Sequence, residues 1–305
     1  MCITVILLVY YYRIKLGLLL SNPAAFWKLF LNASELSDFS FWAIMVSVAT
    51  CVAALLIDFF TLGWKNSSLR KIFVRPTTSS KIDSFCFFLS VSRLHQALGL
   101  CVSLGVAYFL SSLLMKFIKF NLLGSIQIPW VQPILFFVLL DIKHYLEHRF
   151  MHNRKFWELH SFHHSATEMT VFTNARGHLL EASVYAFFTA IFFAVMGSPL
   201  HQIFLVYFFR EVYAYLLHSD VKSKLGWVGR WILISPPAHK LHHSINPEDY
   251  GRNFGTFFIW WDKLLGTYKE PREGEFKIGL TDDYQNQMNY FKGQWTVFKR
   301  WVNSL

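Results

Sequence analysis

The stretch "ELHSFHHSA" at residues 158–166 and its echo "AHKLHHSIN" at 238–246 decide how this chain is read. Each contains His-x-x-His-His: His160, His163 and His164 in the first, His239, His242 and His243 in the second. On a helix, residues three and four apart share a face, so each triplet is a one-turn cluster of imidazoles.

Outward from the triplets the pattern continues. Twelve of the thirteen histidines lie between 144 and 243, and only His95 falls outside. His148 and His152 in "EHRFMH" form a further pair four apart, and His144 extends that row. His218 ends an apolar stretch, and His178 sits in "NARGHLLE". Neutral imidazole is a common ligand for zinc, iron, copper and nickel. Two triplets, a pair and one or two singles offer nine or ten ligating imidazoles, too many for one tetrahedral ion and suited to two ions of higher coordination. Packing gives no rationale for such repetition, because buried imidazoles still need partners. Lone residues such as His95 and His201 read as satisfied helix-end or interface histidines. His144 stands open between ligand, support for a ligand and plain polar residue. Ligand type fits iron and zinc equally, and the Glu-x-x-His arrangement of carboxylate-rich two-metal bundles is absent.

The rest of the chain places this cluster at a membrane. Of 305 residues, 54% are hydrophobic and 18% aromatic, yet 16% are charged; mean hydropathy is +0.33. The net charge of +10 is interleaved with long apolar runs, which suits positive loops at a membrane face. No nucleic-acid motif and no phosphate-binding glycine loop occurs, so nucleic acid is not an expected partner. The four cysteines lie in apolar segments without metal or redox spacing. Residues 1–20 read as a membrane anchor, and 41–64 and 96–115 as spans. A further span, 128–140, continues as a helix into the histidine-bearing sequence up to residue 150. Two short apolar pieces, 182–196 and 200–217, read as a hairpin joined by Gly197, Ser198 and Pro199. The 63–95 connection carries six basic residues against one acid, Asp83, and is therefore expected in the cytoplasm. All the histidine clusters then fall on that side, although Lys116 and Lys119 sit on the wrong one. The expected fold is all-α: a polytopic membrane helical bundle with a cytoplasmic histidine-rich cap. Near the end, Phe291, Trp295, Phe298 and Val302 form a stripe flanked by Lys292, Lys299 and Arg300. That stripe suits a helix at the headgroup level, or packing against the polar tail.

"DIKHYLEHRFMH" (141–152), "LHSFHHS" (159–165) and "HKLHHS" (239–244) resemble the three histidine boxes of the fatty acid hydroxylase / sterol desaturase superfamily of membrane di-iron oxygenases. The tail "PEDYGRNFGTFFIWWDKLLGTY" (247–268) is similar to that family's ending. The resemblance implies metal ligands at His148, His152, His160, His163, His164, His218, His239, His242 and His243, with His178 as a tenth. It implies supporting roles for Asp141, Tyr145, Arg176 and Glu181, with His144 beside them. Asp141 and Glu181 are the expected acceptors for ligand N–H groups. The implied cofactors are two iron ions, with zinc as a surrogate in recombinant protein, together with O2 and an external electron donor. No fused heme segment with His-Pro-Gly-Gly occurs, so electrons would come from a separate electron-transfer protein. Residues 1–127 would form membrane spans and a cytoplasmic loop, 128–270 the catalytic domain and 271–305 an amphipathic tail.

The implied activity is O2-dependent hydroxylation of an unactivated C–H bond in a bilayer lipid, whether fatty-acyl, sterol-like or alkylglycerol-type. The alternative on the same site is desaturation. The membrane would be the endoplasmic reticulum or a bacterial inner membrane. A rival from another class, a membrane metal transporter or metal-binding protein, would place ligands at the midplane of repeated or broken helices; no such repeat is visible. The boxes begin where apolar spans end, so an apolar tunnel lined by 128–140 and the 182–217 hairpin is expected to open sideways to lipid.

Overall fold

The computed structural model describes the chain apart from residues 1–32, 93, 129, 197–199 and most of 103–119. The expected anchor at 1–20, half of the 96–115 span, Lys116, Lys119 and the Gly197–Pro199 turn lie outside the described residues.

Among the described residues the fold is all-helical, with two isolated β-bridges and no strand. α1 spans Ala33–Asn66 and ends at a kink where Gly63 takes φ 68°. Its apolar side chains point outward: Val52, Leu56, Ile57 and Phe60 are all exposed. An apolar surface of this kind is stable against lipid rather than water. α1 from Ile44 and α7 (Leu179–Met196) are long and apolar enough to cross a membrane. α8 (Leu200–Leu217) packs on α1. α5 (Val131–Met151) runs on past its apolar half into the histidine-bearing sequence, as its periodicity predicts. Phe136 and Leu140 of α5 meet Phe192, Phe193 and Met196 of α7 and Tyr207 of α8 in one buried cluster.

The basic 63–95 connection is more ordered than its composition suggests. It folds into α2 (Ser68–Phe73) and α3 (Thr78–Val91), followed by α4 (Leu94–Val102). Thr77 and Ser80 cap α3 reciprocally, satisfying two backbone donors at its start. Ser68 at the start of α2 donates its backbone N–H (2.6 Å) and its hydroxyl (3.0 Å) to buried Asp58. Its hydroxyl in turn accepts from the amide of Val171 (3.1 Å), tying α2 to the 3-10 turn Val171–Ala175 beyond the second histidine box.

Above these helices lies a cap of short pieces: α6 (Trp157–His164), α9 (Gly226–Trp231), α10 (Pro236–His242) and α11 (Trp260–Leu264). α12 (Tyr290–Ser304) closes the chain and packs on α6. Its buried face is Tyr290, Gly293, Gln294 and Val297. Gly293 is close to Phe162: a Cβ there would sit 3.3 Å from its ring. The aromatic stripe read from the sequence faces the other way, with Phe291, Trp295 and Val302 exposed. That outward stripe is what a headgroup-level helix requires, and the tail packs through a neighbouring, smaller-residue face instead.

Candidate metal centre

Nine histidines converge into two groups. His148, His152, His160, His164 and His242 form one, and His163, His218, His239 and His243 the other. Within each group the ligand-capable atoms all lie within 4.8 Å of one another. The helical spacing explains the sorting. His160 and His164, four apart on α6, enter the five-member group, while His163 turns to the four-member group. In the second triplet, at α10, the assignment is reversed: His239 and His243 join the four-member group, and His242 crosses to the five-member one. One turn of helix thus serves two centres, and this is what His-x-x-His-His supplies.

The hydrogen bonds fix which nitrogen faces inward. The Nδ1 atoms of His148, His163, His218 and His242 donate to the carbonyls of Phe254 (2.9 Å), Arg176 (2.9 Å), Ala214 (2.8 Å) and Arg252 (2.7 Å). A carbonyl only accepts, so each of these rings carries its proton on Nδ1 and a lone pair on Nε2. Yet Nε2 of His163 lies 3.2 Å from Nε2 of His218, and Nε2 of His148 lies 2.9 Å from that of His242. Two lone pairs facing each other at this distance repel unless a cation lies between them. A proton cannot supply it cheaply. Burial, reinforced by neighbouring imidazoles, holds His163, His164, His239 and His243 well below the usual histidine range. Burial pushes His218 down to about 4 and His242 down to about 3. A metal ion fits instead: nitrogens bound side by side to one ion at ~2.1 Å lie roughly 3 Å apart. His152, His160, His164 and His243 each keep a buried Nε2 without a hydrogen-bond partner among the described residues, as ligands would before binding.

The surrounding residues hold this arrangement. Glu181 accepts from Nδ1 of His160 at 2.6 Å, the role expected for it. Arg176 is almost fully buried, and its guanidinium bridges the carbonyl of Phe162 (2.9 Å), Asp83 (2.9 Å) and Asn286 (2.8 Å). Its own carbonyl receives His163, so a buried ion pair with α3 sets a ligand's orientation. Asp141 receives no ligand N–H. It accepts instead from the amide of Phe258 (3.0 Å) and the indole of Trp261 (2.8 Å), pinning the tail to α5. The tail's Asn-Phe-Gly turn is built for this purpose. Asn253 adopts φ 55°, and Asp262 accepts the amides of Phe254 (2.9 Å) and Gly255 (2.7 Å). A Cβ at Gly255 would meet the Asp262 carboxylate at 2.7 Å, so only glycine lets Phe254 present its carbonyl to His148. Tyr145 bonds Thr267 (2.8 Å) in the same tail.

Two of the sequence candidates stand outside both groups. His178 donates Nε2–H to the carbonyl of Gln294 (2.9 Å) and accepts at Nδ1 from the amide of Leu180 (3.2 Å), which engages both ring nitrogens. His144 donates Nδ1–H to the carbonyl of Leu140 at 2.7 Å and lines the neighbouring cavity. Asp83, Asn286, Gln294 and Asp262 were not singled out as site residues. Asp83 left a trace as the one acid in a basic loop, and Asp262 lies in the tail motif quoted for the resemblance.

Two cavities reach the histidines. One, of about 180 Å³, lies against His148, His160, His163, His218 and His239 and is walled by α7 and α8. It differs from the expected apolar tunnel: residues 128–140 do not line it, and Glu147, Arg210 and Glu211 do. The other, of about 820 Å³, reaches His152, His164 and His242 between α5, α6 and the tail, and its wall includes Arg149, Glu158, Asp282 and Arg300.

Residues 133–267 match the fatty acid hydroxylase family. The alkylglycerol monooxygenase of Caenorhabditis elegans is 30% identical over 155 residues, 49% of this chain and 30% of that protein. The ornithine lipid hydroxylase OlsE of Rhizobium tropici is 28% identical over 152 residues, 49% of this chain and 46% of that one. The Delta(7)-sterol 5(6)-desaturase of Eremothecium gossypii is 26% identical over 178 residues, covering 54% and 45%. The chain spans less than half the length of each of these relatives. No solved structure matches the chain.

Proposed function

We propose that this chain, in which residues 133–267 form a fatty acid hydroxylase domain, is a membrane oxygenase that hydroxylates an unactivated C–H bond of a lipid. The observation that carries the reading is the two-group sorting of nine imidazoles, with lone pairs opposed at 2.9 and 3.2 Å. His148, His152, His160, His164 and His242 would hold one iron ion, and His163, His218, His239 and His243 the other. Bound iron supplies O2 reduction with electrons from a separate donor protein, and hence the oxidising power to break a C–H bond.

The chain's own work is to orient and exclude. The carbonyls of Phe254, Arg176, Ala214 and Arg252, with the Glu181 carboxylate, lock five of the nine rings, His148, His163, His218, His242 and His160, in the tautomer that leaves Nε2 for metal. Burial keeps the ligands neutral and water out, and the 180 Å³ cavity presents one stretch of lipid to the inner histidines. α1, α7 and α8 would anchor the protein as a polytopic bundle, with the cap on the cytoplasmic side where the basic 63–95 connection lies. The likeness to a sterol desaturase favours one second reading, removal of two hydrogens at the same site.

The test is expression in a host membrane, with iron analysis of the purified protein and lipid mass spectrometry. A species heavier by one oxygen supports hydroxylation, and one lighter by two hydrogens supports the second reading. Unchanged lipids from iron-loaded protein supplied with O2 and reductant would overturn both.

A further inference from the structure

Glu147 immediately precedes His148 on α5 and is 3% exposed. Lys143, one turn earlier, places Nζ 2.9 Å from its Oε1. Its Oε2 has no hydrogen-bond partner among the described residues. It is not one of the groups that anchor the ligand histidines, whose Nδ1 protons go to Phe254, Glu181, Arg176, Ala214 and Arg252. A carboxylate oxygen buried without a donor is costly to maintain, and a site that maintains one is built to receive a donor.

Glu147 lines the 180 Å³ cavity, which the Arg210–Glu211 ion pair of α8 (2.9 Å) also lines. The same cavity is lined by histidines of both groups. A bare hydrocarbon chain entering it would leave Oε2 unsatisfied. The donor must also be neutral. Lys143 is paired with Glu147 and Arg210 with Glu211, and the remaining carboxylate of the lining, Glu181, is engaged by Nδ1 of His160, so none of the three calls for a cation. A hydroxyl meets both conditions, donating one hydrogen bond and carrying no charge.

We propose that Glu147, in the cavity that the Arg210–Glu211 pair also lines, forms a polar subsite that accepts a hydrogen bond from a hydroxyl of the lipid substrate. The subsite selects lipids with a hydroxyl close to the carbon presented to the histidines, over plain acyl or alkyl chains. This inference rests on the oxygenase reading for its substrate and on the cavity for its chemistry.

The experiment uses the full chain, metal-loaded in detergent micelles, with two probes. One is 1-O-hexadecylglycerol; the other is the same lipid with both hydroxyls methylated. Retention of each is measured by equilibrium binding, beside metal content and O2 consumption. The expected result is a preference of about tenfold or more for the free diol, as suits a hydrogen bond to a charged acceptor. Glu147→Gln should remove most of that preference while metal content stays at the wild-type value. Equal retention of both probes by the wild type, an unchanged preference in Glu147→Gln, or retention of neither probe would overturn the subsite. So would loss of metal in both Glu147→Gln and Glu147→Ala, which would make the residue a support for His148. The two readings fail separately. Oxidation of both lipids at equal rates removes the subsite and leaves the oxygenase, while Glu147-dependent binding without O2 consumption does the reverse.

Discussion

The two histidine groups are built from the same triplets but supported differently. The five-member group draws two ligands from α5, a long helix anchored in the apolar cluster, and three of its rings have anchored Nδ1 atoms, one of them on the Glu181 carboxylate. The four-member group has no α5 ligand, and only His163 and His218 have anchored Nδ1 atoms, both on carbonyls. Nδ1 of His239 and both ring nitrogens of His243 are buried and without a hydrogen-bond partner among the described residues. The surroundings differ as well. Every member of the four-member group except His243 lines the small inner cavity, whereas His152, His164 and His242 face the larger polar cavity beneath the tail. The group with fewer ligands and looser support is thus the one turned most fully toward the proposed lipid. A metal held there would have more of its coordination left for chemistry, and the better-buttressed group would serve as the fixed half of the site.

The largest expected effect breaks this contrast directly. His218→Ala leaves three donors in its group and is expected to release about one of two bound ions, because three imidazoles hold an open site weakly without further anchoring. His152→Ala leaves four donors and is expected to retain both ions. Both variants should lose turnover; metal stoichiometry separates them. Equal metal loss in the two would show that the groups are not independently held. The next effect is on the fold. Removing one partner of the buried Arg176–Asp83 pair strands a charge, which typically costs ~3–5 kcal/mol. Asp83→Asn should therefore lower thermal stability sharply and disturb His163 through the Arg176 carbonyl. A melting temperature within experimental scatter of wild type would refute that coupling.

A gentler change sharpens the contrast within the five-member group. Glu181→Gln keeps the shape of the acceptor but removes its charge, and supporting residues of this kind typically contribute ~10–100-fold in metal affinity. The expected loss falls on one ion only, since Glu181 reaches His160 and no member of the four-member group. A metal titration in which both binding steps weaken equally would contradict this.

The unequal legibility of the site follows from the same geometry. Side-chain ligands repeat at helical spacing, so the boxes stand out in sequence, and the helices α7 and α8 and the long α5 followed from apolar runs. What holds the ligands is mostly backbone carbonyl, and no residue type marks a carbonyl. Asp141 was expected to take a ligand N–H because a buried acid near a histidine box suggests one; it anchors Phe258 and Trp261 instead. The 63–95 segment hid two helices because a basic composition reports charge, not order. Asn286 and Gln294 lie in sequence read as a tail, and only tertiary packing brings them against Arg176 and His178. Of the span-like pieces before residue 130, the 41–64 run is α1, while 1–20 and half of 96–115 lie outside the described residues.

Acidification tests the metal-free state. An unfolded histidine takes up a proton near pH 6.5, whereas His218 and His242 in the folded chain resist until about 4 and about 3. Between these values the unfolded state binds more protons at these rings, so their contribution to stability falls as pH drops from about 6.5 toward 4 and is constant above it. Chelated protein is expected to melt lower at pH 5 than at pH 7.5, and bound metal should narrow the difference. Equal melting temperatures at the two pH values after chelation would show that the rings are not buried as neutral groups.

The smallest expected effect falls on the histidine that resembles a ligand by position alone. His178 lies among the boxes in sequence and lines the inner cavity, yet its two nitrogens are committed to Gln294 and Leu180. Its N–H donor and its lone pair are both spent, so no electron pair remains for a metal in this tautomer. Protonation offers no alternative role near neutrality, because burial pushes the ring down to about 4. Its contribution is to fasten α12 to the start of α7 by one neutral hydrogen bond, to Gln294, and to cap the start of α7 by a second, from Leu180, each typically ~0.5–1.5 kcal/mol. His178→Gln can keep part of this and should leave the content of both metals unchanged, with a drop in stability of a few degrees at most. If metal analysis of His178→Gln showed an ion missing, the ring would have to turn from Gln294 into the four-member group. The two groups would then be equal in size, and the asymmetry that separates a fixed half from a reactive half would disappear.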